Sequence, residues 1–324
     1  MSSTVEPAAH RCAVVGSPVG HSKSPVLHRA GYAAIGLTDW DYRAIDCDGA
    51  GLPGLVASLG DEWSGLSVTM PAKAAAAALA DRRSDRVELL GVANTLVRNG
   101  SGWSADNTDV DGVLGALRAH ALADPGSVLL LGGGGTALSA LAAVAELGAT
   151  RVTVAGRRPE GRRAALELAA TLGLTAAECG LTAEELSVAV RGTDLVLSTV
   201  PAGAADPFAE LLAPAPALLD VVYDPWPTAL AAARAGRPGG VGTSTATGLD
   251  MLLHQALRQF ELHTSRPAPA AAMRDALRSA VGPGAPELPL PGEPEPPLPG
   301  DPGGADSRSP AAAAVDNSGR SSAS

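Results

Sequence analysis

The stretch SVLLLGGGGTALSALAAVAELGATRVTVAGRR, Ser127 to Arg158, decides the fold. Its apolar start, Ser127 to Leu131, has the length and branching of a buried strand. A glycine turn with the pattern G-x-G-x-x-A follows at Gly132 to Ala137, then a helical pattern from Leu138 to Leu147 and a second strand pattern from Arg151 to Ala155. This order predicts a dinucleotide site, because backbone N–H groups at the turn and the helix N-terminus favour a pyrophosphate.

The residues after the second strand indicate which dinucleotide is bound. NAD sites usually place Asp or Glu there for the ribose hydroxyls, whereas this chain has Gly156, Arg157 and Arg158. Two guanidinium groups suit a 2′-phosphate, so the sequence predicts NADP. The alternative is a solvated basic turn, continued by Arg162 and Arg163.

Composition bounds the class of protein. The 324 residues, 46% of them hydrophobic, suffice for two domains with cores, and the charge of −10 argues against nucleic-acid binding. No apolar run has the length of a membrane span, and the first residues lack a signal-peptide pattern, so we expect a cytoplasmic protein. Cys12, Cys47 and Cys179 form neither a disulfide framework nor a metal pair, and no metal site is predicted.

The C-terminal residues 282–324 differ in composition from the rest of the chain. Ten of the 26 prolines lie there, together with six acidic residues and two arginines, and there is no aromatic residue. Such a segment is typical of disorder, and we expect that it cannot bury a core.

The first half of the chain contains polar residues at the ends of predicted strands. Ser22 and Ser24 follow the strand Cys12 to Val15 and could bind a small polar substrate, or could be turn and N-cap residues. His21 has no partner at metal spacing, so a structural histidine is expected. Lys73 opens an alanine-rich helix, where a cation opposes the helix dipole, which suggests a site.

Two further polar positions are ambiguous from pattern alone. Asp109 lies in the first turn of a helix predicted from Val110 to His120, where an acid is favoured by the dipole, and Asp106 or Asn107 could cap that helix. Gln255 lies off the apolar stripe of a helix after Gly248, facing solvent or a cleft.

The second half of the chain alternates strand and helix patterns. After Arg158 these are a helix from Glu160 to Leu172, strands at Thr175 to Cys179, Leu195 to Ser198 and Leu218 to Tyr223, and a helix from Ala183 to Val190. This alternation predicts an α/β fold with a doubly wound parallel sheet.

Taken together, residues 11–281 resemble the shikimate dehydrogenase family. Six family motifs occur in order: G-x-P-x-x-H-S-x-S-P at Gly16 to Pro25, V-T-x-P-x-K at Val68 to Lys73, G-A-x-N-T at Gly91 to Thr95 with Val92 for Ala, D-N-T-D-x-x-G at Asp106 to Gly112, V-Y-x-P-x-x-T at Val222 to Thr228, and G-L-x-M-L-x-x-Q-A at Gly248 to Ala256.

The resemblance implies roles for individual residues. Lys73 and Asp109 would form the catalytic pair. Shikimate or 3-dehydroshikimate would be bound by Ser22, Ser24, Thr69, Lys73, Asn94, Asp109, Tyr223 and Gln255. NADP would be bound by Gly132, Gly133, Gly134, Gly135, Thr136, Gly156, Arg157, Arg158, backbone near Val221 and Gly248, and Asp85 on the cofactor side of the cleft.

The resemblance also implies a domain organisation. Residues 1–112 would form a substrate-binding catalytic domain, 113–248 a Rossmann-type NADP domain, 249–281 helices that return to the first domain, and 282–324 the disordered tail. It leaves the oligomeric state open, with a homodimer as one option, and it includes no nucleic acid or membrane partner.

Besides Val92, three residues depart from the usual family pattern. Ser67 stands where Asn is common, Gly156 where Asn commonly precedes Arg, and Asp250 where Gly is common. The carboxylate of Asp250 brings into question the geometry of the loop at Gly248, which would lie near the nicotinamide of the cofactor.

The resemblance implies reversible reduction of 3-dehydroshikimate to shikimate by NADPH, in the pathway to chorismate and the aromatic amino acids. A quinate or dual quinate/shikimate dehydrogenase is the nearest alternative, and a non-catalytic regulatory protein on the same fold is a second. A serine hydrolase is less favoured because the chain has no G-x-S-x-G elbow.

Overall fold

The computed structural model describes residues 9–122, 124–236 and 244–290. The described chain is an α/β protein with two six-stranded sheets. The strands are β1 His10–Gly16, β2 Trp40–Asp46, β3 Trp63–Val68, β4 Arg82–Arg83, β5 Thr95–Asn99, β6 Gly102–Asp106, β7 Ser127–Leu131, β8 Arg151–Ala155, β9 Thr175–Cys179, β10 Leu195–Ser198, β11 Ala217–Asp220 and β12 Ser244–Thr247. The helices are α1 Ser24–Ala34, α2 Leu52–Ala57, α3 Lys73–Leu79, α4 Asp85–Leu90, α5 Asp109–Ala119, α6 Gly135–Glu146, α7 Pro159–Thr171, α8 Ala183–Ala189, α9 Ala209–Leu212, α10 Ala229–Ala235, α11 Gly248–Thr264 and α12 Ala270–Val281.

The first sheet is mixed and has the strand order β2-β1-β3-β5-β6-β4. Strand β1 pairs in parallel with β2 and β3, whereas β5 pairs antiparallel with β3 and β6. Because β1 and β3 are parallel neighbours, the residues that follow Gly16 and Val68 meet at the same sheet edge. This edge forms one side of the candidate site.

The second sheet confirms the predicted doubly wound fold. All its strands are parallel, in the order β12-β11-β10-β7-β8-β9. Numbered within this sheet, the order is 3-2-1-4-5-6 read from β9, which is the dinucleotide-binding arrangement with a switch point between β7 and β10. The glycine turn leaves β7 at that switch point, where sheets of this order form a crevice at the carboxyl ends of their strands.

Two helices join the halves of the molecule. Helix α5 packs against both α6 and α11, and the predicted boundary at 112/113 falls inside it. Helix α11 also contacts β3 and β5, and α12 packs on α1 of the substrate half. The return of these last helices, expected from the resemblance, is therefore present in the fold.

Two predicted element boundaries were wrong in ways that concern the site. Strand β11 ends at Asp220, so Val221 to Tyr223 are not in the strand, and Val221 and Tyr223 line the candidate site instead. The sequence pattern from Gly91 to Val97 predicts a strand with Asn94 near its start, but β5 begins at Thr95, which leaves Asn94 in the preceding loop. Val221 and Tyr223 thus follow the carboxyl end of β11, and Asn94 precedes the amino end of β5. All three residues face the cleft.

The predicted start of the disordered tail at residue 282 was also wrong. Leu288 is completely buried in an apolar cluster with Leu249, Leu253 and Phe260, and Leu290 packs against that cluster. The proline-rich composition obscured these two leucines, which supply the burial that offsets ordering. Residues 291–324 of the predicted tail lie outside the described residues.

Within the described residues, no helix combines the length and apolar character needed to cross a membrane. The longest helix, α11, has 17 residues and carries charged and polar groups along its length.

Two buried histidines lie under the first sheet. His28 stacks on Tyr42 with ring centroids 4.1 Å apart, and its centroid is 6.0 Å from that of His263. Burial lowers the pKa of His263 to about 4, and burial together with the neighbouring His263 lowers the pKa of His28 well below its usual range. Both rings are therefore neutral in the folded protein at neutral pH.

We predict that these histidines make the protein less stable in acid. An unfolded histidine protonates near pH 6.5, so the unfolded state binds more protons between about pH 6.5 and 4, and stability falls through that window as pH falls. Each histidine contributes a slope of up to about 1.4 kcal/mol per pH unit. Urea unfolding between pH 4.5 and 7.5 measures how the free energy of unfolding depends on pH.

The matched variants for this measurement are His28→Phe and His10→Phe. The first keeps a buried ring but removes its titration, and should reduce the dependence of the free energy of unfolding on pH. The second changes an exposed ring that stacks on Trp40, and should leave that dependence unchanged. If the free energy of unfolding of His28→Phe depended on pH as steeply as that of the parent, buried His28 would not be a source of this dependence.

Candidate active site

A cavity of about 190 Å³ lies between the edge of the first sheet and the glycine turn of the second. Its size suits a small molecule, not a whole dinucleotide. All eight residues predicted to bind substrate line it, namely Ser22, Ser24, Thr69, Lys73, Asn94, Asp109, Tyr223 and Gln255. Of the residues predicted for the cofactor, Thr136, Val221 and Gly248 line the same cavity.

The centre of the cavity is an ion pair between Lys73 and Asp109. Lys73 Nζ donates to Asp109 Oδ2 and also contacts Thr136 Oγ1 at 3.3 Å. The side chains of Lys73 and Asp109 are 15% and 7% exposed. Because little water reaches them, each charge is stabilised mainly by the opposite charge of its partner. The lysine at a helix start, unfavourable for the helix dipole, is thus explained by its partner at the start of α5.

Asn94 fixes the second oxygen of Asp109. Its Nδ2 donates to Asp109 Oδ1 at 2.8 Å and to Gln255 Oε1 at 3.2 Å. Its Oδ1 accepts from the backbone N–H of Thr108 at 2.7 Å, so the amide cannot flip without placing two acceptors together. The orientation of the carboxylate is therefore set by a buried amide.

The predicted helix caps in this region need correction. The residue before α5 is Thr108, and its side chain makes no capping bond. Asp106 accepts instead from Ser84, while Asn107 Oδ1 accepts from the Asp109 N–H at 3.2 Å. Asn107 thus holds the first residue of the helix that carries the carboxylate.

The cavity wall also carries hydroxyl groups. Ser22 Oγ accepts from the Ser24 N–H at 3.3 Å, which leaves the Ser22 hydroxyl hydrogen free to point into the cavity. Tyr223 also lines this space, and burial followed by the neighbouring Asp224 raises the pKa of its phenol. A neutral phenol and serine hydroxyls are suitable donors to a carboxylate.

The helix α11 supplies a second glutamine that the sequence analysis missed. Gln259, one turn after Gln255, is 1% exposed and its Nε2 donates to Asn94 O and Thr95 Oγ1, both at 3.1 Å. Its Oε1 accepts from Ser67 Oγ at 2.7 Å. A second polar residue off the same apolar stripe was the available signal.

The same network accounts for the departure at Ser67. The Ser67 hydroxyl accepts from the Tyr42 hydroxyl at 2.5 Å and donates to Gln259. All three groups are buried, so the shorter side chain in place of Asn is fully bonded by its neighbours.

The glycine turn has the features that a pyrophosphate requires. Gly134 precedes α6 with no side-chain cap, the first turn of α6 has no acidic residue, and Gly134 faces open space. Gly132 has φ of +121°, and a Cβ on Gly133 would lie 2.5 Å from backbone of Gly161. The residues present therefore fit a dinucleotide, with free N–H groups at a helix N-terminus.

The basic residues after β8 divide into two sets. The side chains of Arg157 and Arg158 are exposed and make no hydrogen bond or ion pair with any residue in the described ranges. Arg162 is instead held by Gly156 O and Glu178, and its side chain lies 3.1 Å from where a Cβ on Gly156 would be. The glycine in place of Asn thus accommodates Arg162, while Arg157 and Arg158 stay available.

The departure at Asp250 is a helix cap. Asp250 accepts from the Thr247 N–H at 2.8 Å and its own N–H donates back to Thr247 Oγ1, which forms a capping box at the start of α11. Its other oxygen lies 3.0 Å from His120 Nε2. Because the carboxylate is directed into these bonds, it reinforces the loop at Gly248, whose geometry the sequence brought into question.

The predicted cofactor residue Asp85 is not part of this cavity. Asp85 is exposed in the first turn of α4 and does not line the cavity, so the structure does not bring it together with the other predicted residues. In the part of the chain that the structure describes, no group of three or more His, Cys, Asp or Glu side chains could hold a metal ion.

Two family models and many known proteins match this amino-acid sequence. A model of the shikimate dehydrogenase substrate binding domain matches residues 14–96, and a model of the shikimate 5′-dehydrogenase C-terminal domain matches residues 248–278. The NADP(+) shikimate dehydrogenase of Methylobacterium radiotolerans is 37% identical over 282 residues, 83% of this chain and 96% of that protein.

Solved structures agree with these matches. The shikimate dehydrogenase of Mycobacterium tuberculosis is 46% identical, with a TM-score of 0.77 over 83% of this chain and 98% of that chain. The shikimate 5-dehydrogenase of Thermus thermophilus, solved with NADP(H) and shikimate, is 31% identical, with a TM-score of 0.71 over 84% and 99% of the two chains. With similarity over more than four fifths of its length, the chain belongs to the shikimate dehydrogenase family.

Proposed function

We propose that this protein is an NADP-dependent shikimate dehydrogenase that reversibly reduces 3-dehydroshikimate to shikimate in the pathway to chorismate and the aromatic amino acids. One observation carries the proposal. The buried Lys73–Asp109 pair, the predicted substrate residues and Thr136 of the glycine turn all line a single small cavity. A cytoplasmic location and a homodimeric state stay predictions.

The reaction adds a hydride to a ketone carbon and a proton to its oxygen. NADPH supplies the hydride when bound, and is left as NADP(+). Negative charge develops on the oxygen, so Lys73 Nζ lowers the barrier by donating a proton to it. Asp109 orients the ammonium group and accepts a hydrogen bond from the reacting hydroxyl in the reverse direction.

The remaining cavity residues orient the substrate. Ser22, Ser24 and Tyr223 would donate to its carboxylate where hydroxyl groups line the cavity. Thr69, Asn94 and Gln255 would bind the ring hydroxyls beside the ion pair. Binding the carboxylate at donors other than the ion pair would fix which end of the molecule reaches Lys73.

The cofactor would extend from the cavity over the glycine turn. Gly132 to Thr136 would hold the pyrophosphate, Arg157 and Arg158 the 2′-phosphate, and Val221 and Gly248 the end near the substrate. A Cβ on Gly248 would lie 2.2 Å from Val221 O, so only glycine permits this close approach. Asp85 retains a proposed role on the cofactor side only.

An assay of the purified protein tests the proposal directly. Shikimate and quinate are each offered with NADP(+) and with NAD(+). Turnover should be greatest with shikimate and NADP(+). Greater turnover with quinate would reassign the enzyme as a quinate or dual dehydrogenase, and absence of turnover with all four pairs would favour a non-catalytic protein on this fold.

We predict that Lys73 and Asp109 act as one catalytic unit. Lys73→Met or Asp109→Asn should lower kcat about a hundredfold or more, as expected for loss of a general acid or its partner, with a much smaller change in KM. The double variant should be little worse than the poorer single variant. Steady-state kinetics with shikimate measure this.

Asp111→Asn is the matched control. Asp111 lies on the same helix but pairs with Arg86 at 2.7 Å, away from the cavity, so its variant should keep the parent rate. Multiplicative losses in the double variant would mean that Lys73 and Asp109 act independently. A folded Lys73→Met protein with near-parent turnover would remove the lysine from the mechanism.

We predict that Arg157 and Arg158 select NADP over NAD. Replacing both by Ala should weaken NADP binding by about 1 to 3 kcal/mol for each charge-assisted hydrogen bond that is removed, and NAD binding far less. Arg163→Ala is the control, because Arg163 is an exposed arginine of α7 near Glu167. Calorimetry measures the dissociation constants of NADP and NAD for each variant. Equal weakening of NADP and NAD binding would show that the two arginines do not bind the 2′-phosphate.

A further inference from the structure

Residues 282–290 form a segment that we name the C-terminal strap. It follows α12, past the last residue of the matched C-terminal domain model, and it contains no helix or strand. Leu288 and Pro289 in the strap are buried, while Gly284 and Glu287 are exposed. The strap is thus anchored near its end by apolar burial.

The backbone of the strap shows that its placement is specific. Leu288 has φ of +53°, a left-handed conformation that is unfavourable for a residue other than glycine. Such a conformation persists only where the surrounding structure determines it. Here the determinant is the apolar cluster in which the Leu288 side chain is fully buried.

The strap contacts a segment that lines the candidate active site. Trp226 Nε1 donates to Gly284 O at 3.2 Å. Trp226 lies three residues after Tyr223, in the stretch that leaves β11 and enters the cavity wall. Tyr223 itself packs against the same apolar cluster as Leu288.

The strap also contacts α11. The backbone of Pro289 lies close enough to the His254 ring to influence its pKa, and His254 immediately precedes Gln255 on that helix. Leu249 and Leu252, from the first turns of α11, belong to the cluster that buries Leu288. The strap therefore contacts both the stretch that carries Tyr223 and the helix that carries Gln255, two of the residues that line the cavity.

We propose that the C-terminal strap is a positioning element of the active site, which holds Tyr223 and the start of α11 at the substrate. It acts through Trp226, His254 and the apolar cluster, and touches no reacting atom. The proposal rests on the proposed function in one respect, namely that Tyr223 and Gln255 bind substrate. It predicts a loss of substrate affinity, with little change in the chemical step.

Two truncations of the full chain test this proposal. A chain that ends at Leu290 keeps the strap and should match the parent in KM and kcat. A chain that ends at Val281 lacks the strap and should show a KM for shikimate raised about tenfold or more, with kcat within about threefold. Equal KM values in the two truncated proteins would overturn the proposal.

Point variants serve where the shorter chain does not fold. Trp226→Phe keeps a ring but loses the N–H donor to Gly284, and Leu288→Ala removes the buried anchor. Both should raise KM for shikimate several-fold. Glu287→Ala is the control, because this exposed residue of the strap pairs only with Arg278, at 3.6 Å, among the described residues, and its KM should stay at the parent value. Parent KM values in both Trp226→Phe and Leu288→Ala would contradict the proposal.

Hydrogen exchange gives a readout that does not depend on activity. Without ligands, backbone amides in residues 221–228 and 249–259 should exchange faster in the Val281 truncation and in Leu288→Ala than in the Leu290 truncation. Unchanged exchange in both would overturn the positioning role. If the parent enzyme does not turn over shikimate, the proposed function fails, while this exchange comparison still decides whether the strap holds these segments.

Discussion

The structure depends on burying one cation and one anion against each other between two sheets. Lys73 begins α3 and Asp109 begins α5, both on the substrate side, while Thr136 on the cofactor side contacts the lysine. A buried pair of this kind is weak evidence for stability, since desolvation opposes the Coulomb attraction. Its retention is better explained by chemistry at the place where the two halves meet.

The surrounding polar groups leave that pair little freedom. Asn94 binds one oxygen of the carboxylate, backbone of Thr108 fixes Asn94, and Gln259 ties the Asn94 backbone to α11. These bonds connect the loop before β5, the start of α5 and the returning helix α11. The consequence is a site whose charged groups are oriented before any ligand enters, which is the condition for electrostatic catalysis.

Much of this arrangement was predictable from the sequence, because strand, turn and helix patterns determine a doubly wound sheet and the motifs carry the resemblance. The remainder depended on tertiary contacts. Gln259 was missed because nothing local shows that α11 reaches Asn94. The strap was missed because prolines dominate its composition while two leucines supply its burial. The effect of Asp250 could not be predicted because the sequence does not show that its carboxylate caps α11 and reaches His120.

The central claim is that substrate reacts at the Lys73–Asp109 pair with the cofactor on the Thr136 side. A crystal structure of the protein with shikimate and NADP(+) tests it most directly. The account predicts the reacting hydroxyl oxygen within about 2.6–3.2 Å of both Lys73 Nζ and a carboxylate oxygen of Asp109, and the substrate carboxylate among Ser22, Ser24 and Tyr223. A shikimate bound with its carboxylate at Lys73, or bound outside this cavity, would contradict it.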